Sequence, residues 1–74
     1  MIEDGSRIPR AIQLTRAIEQ LPAAQRTVIA LRDIHGCSSD EVCAALDIAG
    51  AHQRVLLHRA RSRVRAELER HIDG

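Results

Sequence analysis

The sequence predicts an all-α fold, a four-helix domain whose third and fourth helices form a helix-turn-helix. Three observations carry this. Apolar residues recur at helical spacing from Ala11 to Leu68. Proline and glycine interrupt that spacing at Pro22, Gly36 and Gly50, which divides the chain into helix-sized pieces. The stretch "SSDEVCAALDIAG" then sets a short capped helix and a tight turn directly before a long helix rich in arginine.

Residues 1–9, "MIEDGSRIP", are polar and contain glycine, and are expected to be a flexible linker remnant; the domain proper is expected over 10–72. Ala11, Leu14, Ile18 and Leu21 fall at i, i+3, i+7 and i+10, one face of a first helix. Pro22 ends it and suits the first turn of a second helix, whose inner stripe is expected to be Val28, Leu31 and Ile34. Gly36 lies just past the last apolar residue, where a helix stop is expected.

Ser38 with Glu41 three residues on matches a capping box, in which each side chain satisfies a backbone amide left free by the first helical turn. Glu41 is therefore a cap and not a catalytic acid. Val42, Ala45 and Leu46 supply the inner face of the third helix, with Cys43 at its edge. Asp47 tolerates the left-handed conformation better than most residues, and Gly50 loosens the chain before the next helix. The fourth helix is expected from Ala51 to Ile72. At 100° per residue Gln53, Leu57, Ala60, Val64 and Leu68 share an 80° arc, the core stripe. Val55, His58, Arg59 and Ser62 lie opposite it. Arg54, Arg61 and Arg65 follow one border, Leu56 and Arg63 the other. An apolar Val55 among arginines is misplaced for packing.

Composition narrows the function. A chain of 74 residues is one small domain, too small to enclose a substrate in a deep cleft. It has no Phe, Tyr or Trp, which removes the stacking platforms of most single-strand and RNA binders. The net charge is only +1, but residues 51–74 hold six arginines against three acids. That is a local basic patch, the footprint of an anion-binding face. Cys37 and Cys43 are expected to be reduced, since no secretory signal or membrane span is present and the chain reads as cytoplasmic. His35, Cys37 and Cys43 do not make the four-ligand set of a structural zinc site, so no metal or cofactor is expected. His35, His52, His58 and His71 have no nucleophile or carboxylate at catalytic spacing, which argues against an enzyme.

The second helix of a helix-turn-helix fits the major groove of B-DNA and reads bases mainly with its N-terminal half. Arginine pairs bidentately with guanine, and an apolar side chain meets a thymine methyl. Arg54 and Val55 suit those two tasks. Arg59, Arg61 and Arg63 are better placed for phosphates, which position a protein without reading sequence.

The segment "AIEQLPAAQRTVIALRDIHGCSSDEVCAALDIAGAHQRVLLHRARSRVRAEL", residues 17–68, resembles region 4 of extracytoplasmic-function sigma factors in the sigma-70 family. "LPAAQR", the helix end at Leu31–Gly36, "SSDEV" and "HRARSRVR" carry the likeness in order and spacing, and the short link from Ile34 to Ser38 fits this group. The resemblance implies a winged-helix-like region 4 domain that recognises the promoter −35 element while held on the β-subunit flap of RNA polymerase. By position, Arg54, Val55 and His58 would face base edges. Arg59, the amides near Ala51 and His52, Arg26 and the Ser38–Ser39 turn would approach phosphates. Three residues depart from the commoner pattern: Gln53 stands where valine often packs, Ala49 where a capping Ser or Pro is usual, and Val55 where a small polar residue is frequent. The resemblance also implies sequestration by an anti-sigma factor. Region 2, which melts the −10 element, has no counterpart here, so the chain is expected to be an excised domain of a longer protein. Two other readings stand beside it: a LuxR-type response-regulator output domain, and a protein-binding helical module in which Arg54 and Arg59 pair with an acidic partner.

Overall fold

A computed structural model describes residues 9–72, with side chains described through Arg70. The expected linker remnant thus falls, up to residue 8, outside the described residues. The chain forms α1 (Arg10–Glu19), α2 (Ala23–Ile29), a π-helical turn (Ala30–Ile34), α3 (Ser39–Leu46) and α4 (Gly50–Ile72). No strand occurs among the described residues, so the helix-turn-helix carries no wing there.

Local chemistry explains the boundaries. Pro9 and Pro22 stand as N-caps of α1 and α2, extended at φ −54° with no side-chain cap of their own. Their fixed φ and missing N–H cost nothing at a helix start. The second helix does not end where α2 stops; it widens. His35 donates its amide to the carbonyl of Ala30 at 2.9 Å, and Cys37 donates to Leu31 at 2.8 Å. Gly36 closes this turn at φ +72°, the left-handed conformation that glycine takes without a Cβ penalty.

The core is aliphatic: Ala17 and Ile18 from the end of α1, Leu21 from the link after it, Val28 and Ile29 from α2, Val42 from α3, and Leu57, Ala60 and Val64 from α4. Leu31, Leu46, Leu56 and Leu68 pack at its edge. α4 is the element on which the other three rest, as its periodic stripe requires. Four expectations are corrected. Ala11 and Leu14 are exposed, because the first turns of α1 face only an open groove toward the end of α4. Ala45 is exposed, since Val42 and half-buried Leu46 complete the inner face of so short a helix. Ile34 is 58% exposed: the widened turn breaks the α-helical spacing that would have aimed it inward, and Ile29 is buried in its place.

Candidate nucleic-acid interface

The interface is built on two signals at the ends of α3. Ser38 donates its backbone amide to Glu41 Oε1 at 2.7 Å, and the Glu41 amide donates to Ser38 Oγ at 3.1 Å. This reciprocal pair fixes where α3 starts. Asp47 ends it in the left-handed region, at φ 56° and ψ 52°, and two further residues bring the chain to α4. The amide of Gln53 donates to the carbonyl of Ala49 at 3.0 Å. Ala49 is thus the N-cap of α4, and its methyl group cannot accept from the free amides of the first turn.

Burial shows which face of α4 points inward. Gln53 is 1% exposed, and Leu57, Ala60 and Val64 are buried below it. Arg54, Val55, His58 and Arg59 face outward, with Val55 45% exposed. They occupy the N-terminal half of α4 next to the α3 turn, and neither Arg54 nor Arg59 is drawn into an ion pair among the described residues. His52 and Ala51 are exposed at the helix start; Ser38 is exposed and Ser39 half-buried at the start of α3.

The remaining arginines go elsewhere. Arg61 meets Asp33 with both arms of its guanidinium, Nε to Oδ2 at 2.9 Å and Nη2 to Oδ1 at 2.5 Å. The hydrogen bond from Arg61, aided by its charge and that of Arg32, holds the Asp33 carboxyl below the usual range against a smaller opposing effect of burial. The same contact raises Arg61. Arg63 lines a shallow groove with Ala17 of α1 and with Gln20 and Leu21 just beyond it, and Arg65 lines a groove of about 390 Å³ with Leu14, Ile34 and Leu68. Arg26 donates from Nη1 to the carbonyl of Glu19 at 3.3 Å, tying α2 to the end of α1. The basic helix is therefore divided. In its N-terminal half Arg54 and Arg59 are exposed and outside any ion pair among the described residues, whereas Arg61 is held by Asp33 of the neighbouring turn.

A family model, sigma-70, region 4, matches residues 11–64. The chain belongs to this family. No curated protein and no solved structure matches it. Membership makes the region 4 domain a DNA-binding element of sigma-factor promoter recognition, and a regulatory domain in kind. The match begins earlier than the resemblance at Ala17 suggested, taking in most of α1, and stops at Val64.

Sequence reasoning placed the outward residues of the region 4 domain but missed two others, Arg32 and Asp33. Arg32 donates from Nη1 to Oε1 of buried Gln53 at 3.3 Å, next in sequence to the Asp33 that holds Arg61. Only their charge within an otherwise apolar helix end could have marked them. Cys37 and Cys43 are free thiols, both half-buried. Among the described residues no group of three or more His, Cys, Asp or Glu side chains comes together, and no helix is long and apolar enough to cross a membrane.

Proposed function

We propose that this domain reads the −35 element of promoters in the major groove as region 4 of an extracytoplasmic-function sigma factor, in the cytoplasm. One observation carries the reading: the outward face of α4 next to the α3 turn presents Arg54, Val55, His58 and Arg59 on a helix whose opposite face is buried in the core. A helix so held can lie in the groove without rearranging. Arg54 would pair with a guanine edge, Val55 would meet a thymine methyl, and His58 would lie near the next bases. Arg59, the free amides of Ala51 and His52, and the Ser38–Ser39 turn would take phosphates. Arg26 joins them only by giving up the Glu19 carbonyl, and Arg61 only by leaving Asp33. Arg63 is the weakest of the set, being beside α1.

The experiment is selection from random duplexes, followed by binding of Arg54→Ala and Arg59→Ala to the preferred site and its single-base variants. Arg54→Ala is expected to lose about 1–3 kcal/mol and relax one base position. Arg59→Ala is expected to weaken every duplex alike and reduce the salt slope by about one unit. Binding that is flat between low and moderate salt overturns the reading, because each phosphate neutralised contributes about −0.9 to the log–log slope.

A second surface supports the protein partners of the same reading. The groove with Leu14, Ile18, Ile29, Ile34, Val64 and Leu68 has an apolar floor, is rimmed by Arg10, Asp33, Arg61, Arg65 and Glu69, and lies away from Val55. It suits an amphipathic helix from the β-subunit flap of RNA polymerase or from an anti-sigma factor.

A further inference from the structure

We infer that Arg32 and Asp33 are positioning residues that set the roll of α4 and hence the aim of Arg54 and Val55; this rests on the promoter reading above. Consecutive residues of an α-helix diverge by about 100°, yet these two both reach the same neighbouring helix. Arg32 holds Gln53 and Asp33 holds Arg61, from a turn that is wound wider than an α-helix. Gln53 and Arg61 are eight residues apart, about 12 Å along the axis and 80° around it. On the buried stripe, a single polar contact would define the seat of α4 at one point only. Two contacts separated in both senses fix its tilt and its roll together.

The apolar stripe lacks directional contacts. Leu57, Ala60 and Val64 pack by shape alone, and the core contains no ring to act as a key. The Asp33–Arg61 contact is bidentate, which gives it direction as well as attraction. Arg61 shares its border of α4 with Arg54, about 20° apart around the axis, so any roll that breaks the fork re-aims Arg54 as well. Functional side chains need such support from neighbours, because small misplacements at the second layer are felt at the contact.

The alternative role for Asp33 is electrostatic: it would merely neutralise one arginine near DNA. The two roles predict opposite signs. If Asp33 only screens, Asp33→Asn strengthens binding to every duplex alike and steepens the salt slope by about 0.9. If Asp33 positions, Asp33→Asn lowers the ratio of preferred to random duplex affinity, on the order of tenfold, the worth of one base contact. Arg61→Lys gives a second test at constant charge, since an ammonium cannot form the fork; it should lose discrimination, whereas Asp33→Glu, which keeps the carboxylate, should retain it.

Residual dipolar couplings on the free domain supply the readout that does not involve DNA. The orientation of α4 relative to α2, its roll about its own axis as well as its tilt, should differ between the wild type and both Asp33→Asn and Arg61→Lys, with the helical content unchanged. An unchanged roll and tilt in both variants overturns the inference, as does equal strengthening on all duplexes. A wild type that discriminates no duplex overturns the promoter reading instead, and the orientation measurement, made also on Arg32→Met, still decides the roles of Arg32 and Asp33.

Discussion

Gln53 and Val55 stand two residues apart on α4 with their polarity inverted: the amide is 1% exposed in the core and the valine 45% exposed on the outer face. Each is out of place for stability alone. Gln53 is tolerated because Arg32 bonds to its Oε1, and Val55 gains nothing from the fold at all. Gln53→Leu is expected to leave stability within about 1 kcal/mol, since Arg32 is only half-buried and water can replace the lost acceptor. Val55→Ala should change stability by less than about 0.5 kcal/mol and reduce discrimination at one base position. Denaturant titration and competition binding check the pair, and a large stability loss in Val55→Ala would contradict its assignment to the outer face.

The capping box should be measurable by deletion. Ser38→Ala and Glu41→Ala are each expected to destabilise by about 0.5–2 kcal/mol, a fall of several degrees in Tm for a domain of this size. Because the two side chains serve each other's amides, the double variant should lose less than the sum. Additive losses in thermal denaturation would mean that the two caps act independently.

Gly36→Ala tests the exit of the widened turn. Nothing lies within 4 Å of a Cβ added there, so space is not the obstacle, but φ +72° is. The expected loss is about 1–2 kcal/mol by chemical denaturation. Gly36→Asn should lose less, because asparagine enters the left-handed region more readily.

Asp33 gives the stability a small acid dependence. Its carboxyl is held below the ordinary value in the folded state, chiefly by the hydrogen bond from Arg61. The sign follows directly: a lowered folded pKa stabilises above the unfolded value and loses that contribution as pH falls through the folded one. The wild type should therefore exceed Asp33→Asn by a constant margin above about pH 5, and the margin should shrink below about pH 4. With side chains 35% and 50% exposed, that margin is at most about 1 kcal/mol. A margin that grows on acidification would contradict the pairing.

Residues whose role depends on local period were legible in the chain. Ser38 and Glu41 declare α3, Asp47 declares its end, and the spacing of Gln53, Leu57, Ala60 and Val64 sets the face of α4, which leaves Val55 outside. The widened turn was not legible, because Val28, Leu31 and Ile34 fit an α-helix equally well, and only the carbonyl partners of His35 and Cys37 reveal the extra winding. Nor was the division of the arginines. Arg54 and Arg61 occupy the same border of the same helix, and what separates them is Asp33, 28 residues away from Arg61 in sequence. Period gives the direction of a side chain; it is silent on what arrives there from another helix.

The wholly aliphatic core makes the domain optically dark. Without Trp, Tyr or Phe it has no intrinsic fluorescence, so one introduced indole is the sole emitter. Val55 and Ile34 are both exposed, at 45% and 58%, on different faces. Val55→Trp would be quenched when duplex DNA covers α4, and Ile34→Trp would shift when an amphipathic helix fills the groove beside Leu14 and Leu68. Two single-tryptophan variants, compared against each added partner in turn, can report which side of the molecule that partner occupies.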